Sequence, residues 1–255
     1  MELTLIAEAL QLKGYAVLET GLSSARIAEL RQATLAAIAQ EDAWRGTAEH
    51  VDHGRLLCAA LHGGPFLELL DLPLWDSVAS FLLSPNWIVH VYSSSCFQPN
   101  RSTFSHRIHR DCHIDSGNKI MILGALIALD DFTSKTGLTH FLPGSHHQSI
   151  APTPAFFHQH IEKIALKAGE VLLFDARVWH AAGPNSGFDW RCALALGFSD
   201  YYLKQRLDIP RMIPPPLANT LSENQQRRLG YFHQPPISYS EYYDENLYRR
   251  KNMKN

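Results

Sequence analysis

The 255-residue sequence has no long hydrophobic run, no basic cluster and no closely paired cysteines. No apolar stretch approaches the roughly 20 residues that cross a bilayer, and no basic segment followed by an apolar one begins the chain. We therefore expect a cytoplasmic protein. The four cysteines are free of C-x-x-C spacing, which excludes the common structural zinc motifs and a dense disulfide framework.

The formal net charge of −2 gives no electrostatic footprint for nucleic acid or for an anionic membrane. A small-molecule partner is the expectation that remains, and nothing in the sequence indicates an oligomeric state. Composition is that of a globular protein, with 45% hydrophobic and 19% charged residues. This length and composition predict one domain over residues 1–255.

Three regions follow one another within that domain. Residues 1–85 have apolar residues at helical spacing, interrupted by a short strand-like run at residues 15–18, and predict a helical part. Residues 87–200 contain short β-branched and aromatic runs separated by Gly, Pro and Asn turns. No helix long enough for a β-α-β crossover intervenes, which favours a mainly β fold with flanking helices, an antiparallel double-sheet jelly roll. Residues 201–255 form a tail expected to wrap the barrel or cover its mouth.

Two histidines and one aspartate form the candidate metal site. On a strand, His109 and Asp111 would project from one face, because side chains alternate with period two. His180 from a distant strand would complete a set of two histidines and one carboxylate, the set that holds ferrous iron with open positions for oxygen. A second triplet, His113-Ile114-Asp115, overlaps the first, and spacing alone leaves the choice between them open.

Arg191 is the candidate anion-binding residue. A symmetric turn between residues 183 and 187 would place it opposite His180, and a turn crossing between sheets would still let both line one barrel. A guanidinium that faces an apolar interior needs an anion, and a bidentate carboxylate fits its geometry. The alternative role for Arg191 is a structural salt bridge.

These residues, taken in order, resemble the phytanoyl-CoA dioxygenase (PhyH-like) family of non-haem iron, 2-oxoglutarate-dependent oxygenases. The similarity extends over roughly residues 10 to 200, and the order of the motifs makes it more specific than any one of them. The motifs are Gly14 to Leu18, His109-Arg110-Asp111, Thr136 to His146, Ala168 to Phe174, His180 and Arg191.

The resemblance implies that His109, Asp111 and His180 bind Fe(II), and it favours the first triplet over the second. It also implies that Arg191 binds the far carboxylate of 2-oxoglutarate, with Gln98 as a candidate second contact. Ala182 is a departure, since relatives often have a hydroxyl there, and it places more of the anchoring on Arg191.

The function implied by the resemblance is oxidation of a small organic molecule, with hydroxylation as the default outcome. Molecular oxygen and 2-oxoglutarate would be consumed, with release of succinate and CO2. The competing interpretation is a non-catalytic jelly-roll binding protein with a vestigial or structural metal site. The substrate is not identified by any part of the sequence, although secondary metabolism is one setting that the family occupies.

Overall fold

Two antiparallel sheets line a common cavity in the computed structural model, which describes residues 3–46, 50 and 53–244. The strands are β1 (Tyr15–Glu19), β2 (Trp87–Ser94), β3 (Ile122–Ala128), β4 (Thr139–Phe141), β5 (Glu162–Ile164), β6 (Glu170–Asp175), β7 (His180–Ala182) and β8 (Ala193–Asp200). The larger sheet has the order β1-β6-β3-β8-β2, and the smaller one has the order β5-β4-β7. This arrangement confirms the jelly roll with flanking helices.

The helices lie before β2 and after β8, apart from one short helix between β4 and β5. They are α1 (Leu3–Leu12), α2 (Ser24–Arg45), α3 (Pro65–Leu69), α4 (Pro73–Leu82), α5 (Pro154–His160), α6 (Ile209–Met212), α7 (Pro215–Ala218), α8 (Glu223–Leu229) and α9 (Tyr239–Tyr242). Short 3₁₀ turns occur at Ala59–His62, Phe104–His106, Ser145–His147 and Tyr231–His233. Within the described part of the chain, no helix combines the length and the apolar character that crossing a membrane requires.

The larger sheet has one face covered by helices and one face toward the cavity. On β6, Leu173 belongs to the main core together with helix residues such as Leu10 and Trp75. Its neighbour Phe174 points the other way and lines the cavity. Alternation of side chains along each strand therefore separates a helix-covered core from the cavity.

β1 extends this sheet from within the N-terminal region. Its five residues pair with β6, with Tyr15 opposite Phe174 and Glu19 opposite Glu170. The strand was predicted, but the region from 1 to 85 is not purely a helical flank, because it supplies an edge strand of the jelly roll. The division of the chain into three regions within one domain stays a prediction.

Prolines set two helix boundaries, and the strand predicted for His109 and Asp111 is absent. The periodic segment from 65 to 83 is two helices, because Pro73 cannot continue α3 and Leu72 before it is extended. Pro215 begins helix α7, since Pro is well suited to the first turn of a helix. His109 forms only a single bridge, to His180, and Asp111 lies in a bend outside any strand.

Candidate metal centre

The segment carrying His109 and Asp111 is fixed against the start of β7. His109 and His180 exchange two backbone hydrogen bonds, of 2.9 and 2.8 Å. The backbone N–H groups of Asp111 and Cys112 both donate to the carbonyl oxygen of Ala176, and this double use of one acceptor ends any regular ladder. Strand alternation therefore does not bring the side chains of His109 and Asp111 together. The bend at Asp111, which follows the bridged residue His109, does so instead.

Both imidazoles are oriented by backbone carbonyl groups. His109 Nδ1 lies 2.7 Å from the oxygen of Arg107, and His180 Nδ1 lies 2.9 Å from the oxygen of Val178. A carbonyl only accepts, so Nδ1 carries the proton in each ring and the Nε2 lone pair is left for a metal. Backbone carbonyl groups that accept this proton are common partners of metal-binding histidines.

The three candidate ligands converge on one point. Donor atoms of His109, Asp111 and His180 all lie within 4.8 Å of one another. Asp111 presents one carboxylate oxygen to each ring, 3.7 Å from His109 Nε2 and 3.8 Å from His180 Nε2. Metal–ligand bonds of about 2.1 Å require donors roughly 3.0 to 3.4 Å apart. The Asp111 side chain is 50% exposed, so a small rotation of the carboxylate suffices to close the difference.

The rings lie in an aromatic and largely apolar environment. The Phe141 ring stacks on His180 at 5.3 Å, and Phe174 meets the same imidazole edge-on at 5.5 Å. Phe104 contacts His109, with ring centroids 5.2 Å apart. Burial, followed by the proximity of His180, lowers the pKa of His109 to about 4. His109 is therefore neutral at pH 7, which is the protonation state a metal requires.

The overlapping triplet is placed elsewhere. His113 and Asp115 are both exposed, and His113 Nδ1 accepts a hydrogen bond from Arg110 at 3.2 Å. Asp115 faces a surface groove with Arg177, away from His180. The geometry therefore selects His109 and Asp111 from the two possible triplets.

Arg191 is buried, and it forms no ion pair with the residues that the structure describes. It is 1% exposed, and its guanidinium lies between the rings of Phe97 and Phe132, 4.3 and 3.9 Å from their centroids. Its Nε and Nη1 have no hydrogen-bond partner among the described residues. Burial lowers the pKa of Arg191 to about 10. Unsatisfied donors on a buried cation are costly, so this site is built for an anionic ligand.

The candidate metal ligands and Arg191 line the same cavity, which has a volume of about 190 Å³. β7 lies in the smaller sheet and Arg191 precedes β8 in the larger one, so the turn between them crosses between sheets. This is the second of the two arrangements that the sequence allowed. Ala182 also lines the cavity, and Thr139 stands directly opposite it in the pairing of β4 with β7.

Thr139 is a site residue that the sequence reasoning missed. Cross-strand partners share a face, so its hydroxyl enters the cavity beside the methyl group of Ala182. The hydroxyl has no hydrogen bond to another described residue, and Thr139 is 6% exposed. On β4, Thr139 and Phe141 are two residues apart and share a face, and Phe141 faces His180.

Gln98 is not brought to this cavity. Phe97 pairs with Arg191 and shares its face, so the next residue points away from the cavity. Its side-chain amide lies near Gly54, which also neighbours the ring of Trp190. The candidate contact between Gln98 and a cosubstrate has no support in this geometry.

Comparison with known proteins indicates the same family as the sequence motifs. The family model for phytanoyl-CoA dioxygenase (PhyH) matches residues 10–193. An uncharacterized protein of Mycobacterium tuberculosis, Rv1501, is 27% identical over 256 residues, covering 96% of this chain and 94% of its own. Dioxygenase trt7 of Aspergillus terreus is 28% identical over 178 residues, covering 64% of this chain and 59% of its own.

Among solved structures, the epimerase SnoN in complex with Fe3+, alpha-ketoglutarate and nogalamycin RO has the same fold. The TM-score is 0.59 at 21% identity, with 78% of this chain and 84% of that chain covered. The family match includes the candidate metal ligands His109, Asp111 and His180 and the candidate anion-binding residue Arg191. The chain belongs to the phytanoyl-CoA dioxygenase family, whose enzymes use Fe(II), 2-oxoglutarate and O2.

Proposed function

We propose that this protein is a Fe(II)- and 2-oxoglutarate-dependent hydroxylase of a small organic molecule that releases succinate and CO2. The observation that carries the proposal is one cavity lined by His109, Asp111, His180 and the unpaired cation of Arg191. Two histidines and a carboxylate suit ferrous iron, and a buried guanidinium suits a carboxylate. The solved structure of SnoN with Fe3+ and alpha-ketoglutarate supports the pairing of these two groups on this fold.

The protein residues have separable roles in this reaction. His109 and His180 present Nε2 to the metal because backbone carbonyls hold their Nδ1 protons. Asp111 supplies the anionic ligand. Arg191 binds the far carboxylate of 2-oxoglutarate, and the Thr139 hydroxyl donates to that carboxylate in place of the hydroxyl missing at Ala182.

The aromatic side chains around the two histidines exclude water from the site. Phe141 and Phe174 cover one side of His180, and Phe104 covers His109. A dry site protects a reactive oxidant from side reactions and strengthens the ion pair at Arg191. When bound, iron and 2-oxoglutarate supply the oxidising chemistry, in which one atom of O2 enters succinate and the other enters the substrate.

The competing function is a non-catalytic small-molecule-binding protein. Succinate formation separates the two, because binding alone leaves 2-oxoglutarate intact. We expect the wild-type protein with Fe(II), 2-oxoglutarate and O2 to release succinate, at a slow rate without substrate and faster with it. The cytoplasm stays the predicted location, and a small molecule stays the predicted partner.

Asp111→Ala tests the metal ligand directly. We expect succinate release to fall at least 100-fold with an unchanged unfolding temperature, because the exposed carboxylate contributes little to packing. Asp115→Ala is the matched control, since it removes the exposed aspartate of the second triplet and should retain activity. Equal activity in Asp111→Ala and wild type would refute the assignment.

A further inference from the structure

Asn185 is a buried polar residue in the turn between β7 and β8. It is 2% exposed, whereas its neighbours Pro184 and Ser186 are exposed. Within the described part of the chain, Asn185 is not among the residues that line the cavity. Burying an amide is unfavourable unless its donors and its acceptor are hydrogen-bonded. The partners of this amide therefore indicate which parts of the fold the side chain holds together.

The side-chain amide of Asn185 joins two segments of the chain. Its Nδ2 donates to the carbonyl oxygen of Phe97 at 3.0 Å and to the carbonyl oxygen of Asp189 at 2.8 Å. Its Oδ1 accepts a hydrogen bond from the backbone N–H of Gly187 at 3.0 Å. Both amide protons and the amide oxygen are thus used. One side chain connects the segment after β2 with the segment that leads into β8.

The main chain of Asn185 contacts the segment after β2 a second time. The N–H of Asn100 donates to the carbonyl oxygen of Asn185 at 2.8 Å. Asn100 has a φ of 56°, in the left-handed region that residues other than glycine rarely adopt. The segment from 97 to 100 is therefore attached to Asn185 at both of its ends, including the end with the unfavourable backbone conformation.

Phe97 is the residue through which Asn185 reaches Arg191. Phe97 and Arg191 exchange two backbone hydrogen bonds, of 2.9 and 3.0 Å, and the Phe97 ring centroid lies 4.3 Å from the guanidinium carbon. The carbonyl oxygen of Phe97 accepts from both Arg191 N and Asn185 Nδ2, so its two lone pairs are used. A shift of this carbonyl group would move the backbone and the aromatic ring that orient Arg191.

The second acceptor, Asp189, lies two residues before Arg191 in the chain. Its carboxylate is 76% exposed and pairs with Arg31 of α2 at 2.9 Å, and such surface pairs stabilise a fold little. Its main chain is held by the buried amide of Asn185 instead. Asn185 thus fixes Arg191 from the paired segment and from the segment that precedes it.

Arg191 depends on such support because its guanidinium has few polar contacts of its own. Its Nε and Nη1 have no hydrogen-bond partner among the described residues. Stacking on aromatic rings and the position of its backbone therefore orient the guanidinium before an anion binds. A group that is already oriented binds its ligand more tightly than one that must be ordered during binding.

We propose that Asn185 is a positioning residue for the cosubstrate. It holds Phe97 and the segment before Arg191 so that the guanidinium is oriented for the far carboxylate of 2-oxoglutarate. Asn185 acts through Arg191 and does not touch the cosubstrate. This inference rests on the proposed function, because it requires that Arg191 binds 2-oxoglutarate.

The test is an anaerobic titration of the full-length apoprotein, first with Fe(II) by calorimetry and then with 2-oxoglutarate by the visible charge-transfer band. In Asn185→Ala we expect the Kd of 2-oxoglutarate to rise about fivefold, because Arg191 must be ordered on binding. The Kd of Fe(II) should stay within about twofold, since Asn185 bonds to neither ligand segment.

Ser186→Ala is the matched control from the same turn. It removes a hydroxyl that donates to the carbonyl oxygen of Lys135 at 3.1 Å, a bond that does not involve Phe97 or Asp189. Both Kd values should stay within about twofold of wild type in this variant. If Asn185→Ala does not fold, Asn185→Ser, which keeps one hydroxyl donor, is measured against the same criteria.

A double-mutant cycle separates positioning from a general structural role. In the Arg191→Ala background, Asn185→Ala should change the Kd of 2-oxoglutarate by less than about twofold, because the residue it acts through is gone. The inference is overturned by an unchanged Kd of 2-oxoglutarate in Asn185→Ala, by an equal rise in the Kd of Fe(II) or in Ser186→Ala, or by a rise that persists without Arg191. Failure of the proposed function is seen separately, as wild-type protein that binds iron without the charge-transfer band, and it overturns this inference as well.

Discussion

Arg191 shows how a single residue can be costly for the fold and necessary for the site. Its guanidinium is stacked between Phe97 and Phe132, but Nε and Nη1 have no partner among the described residues. The stacking recovers about 0.5–2 kcal/mol, and each unpaired buried donor costs about 1–3 kcal/mol. A residue kept at such a cost is typical of a ligand-binding role.

Arg191→Met should therefore leave the free energy of unfolding of the metal-free protein unchanged or raise it by about 1–3 kcal/mol. Methionine keeps the contact with both aromatic rings and removes the buried charge. The measurement is chemical denaturation of the apoprotein with and without 2-oxoglutarate. A loss of more than about 1 kcal/mol would instead support the structural role that the sequence left open for Arg191.

Thr139 is the second residue whose role is testable on its own. Thr139→Val preserves the shape of the side chain and removes the hydroxyl, so we expect the Kd of 2-oxoglutarate for the Fe(II) protein to rise about fivefold to tenfold. Thr139→Ser keeps the hydroxyl and should stay within twofold of wild type. An unchanged Kd in Thr139→Val would remove this residue from the cosubstrate site.

At the scale of elements, the end of β8 joins three parts of the fold through Asp200. Its buried carboxylate accepts hydrogen bonds from Ser84 after α4, from Tyr202, and from Lys119 before β3. Burial alone would raise the pKa of Asp200, but these hydrogen bonds outweigh it and hold that pKa below its usual value.

Asp200→Asn should lower the free energy of unfolding at pH 7 by about 1–3 kcal/mol. A carboxyl group whose pKa is lowered by folding stabilises the protein above its unfolded pKa, near 3.9, and this stabilisation is lost as the pH falls through the folded pKa. The difference between wild type and Asp200→Asn should therefore shrink below about pH 4. A difference that is constant from pH 7 to pH 3 would contradict this account.

Sequence patterns predicted the elements in which apolar residues recur regularly over a long segment. Strand β3 and helix α2 occur where apolar spacing places them, and short strands between turn residues were sufficient for the jelly roll. The bend at Asp111 could not be predicted, because it depends on a shared hydrogen-bond acceptor, Ala176, that is distant in sequence. The motif order located the ligand candidates, whereas local alternation gave the wrong reason for their convergence.

The structure does not place Gln98 at the cavity, and the physical reason is a related one. The face of a strand residue depends on the register with its partner, and a one-residue difference moves the side chain to the opposite face. Phe97, not Gln98, pairs with Arg191. Thr139 was missed because its importance arises from pairing with Ala182 on another strand, and the sequence of β4 alone does not contain that partner.

At the scale of the whole molecule, the two sheets supply opposite walls of one cavity. The smaller sheet contributes His180 and Thr139, and the larger sheet contributes Phe174 and the positions around Gly197. The C-terminal region adds Arg206 at one side, held by hydrogen bonds of residues 205 and 206 to β2.

The residues that line the cavity come from two kinds of segment. The candidate metal ligands lie on the strand scaffold and the bend attached to it, whereas Arg55 and Arg206 belong to segments outside the strands. Residues on connecting segments can change while the scaffold stays the same. Substrate class therefore has to be read from these segments of this particular chain.

The most direct measurement is an anaerobic titration of the apoprotein with Fe(II) and 2-oxoglutarate, followed by the visible metal-to-ligand charge-transfer band. We expect the band in wild type, and we expect Arg191→Ala to require at least tenfold more 2-oxoglutarate to reach half of the full absorbance. Binding of iron without a band in wild type, or a band equally easy to form in Arg191→Ala, would contradict the assignment of this cavity to iron and 2-oxoglutarate.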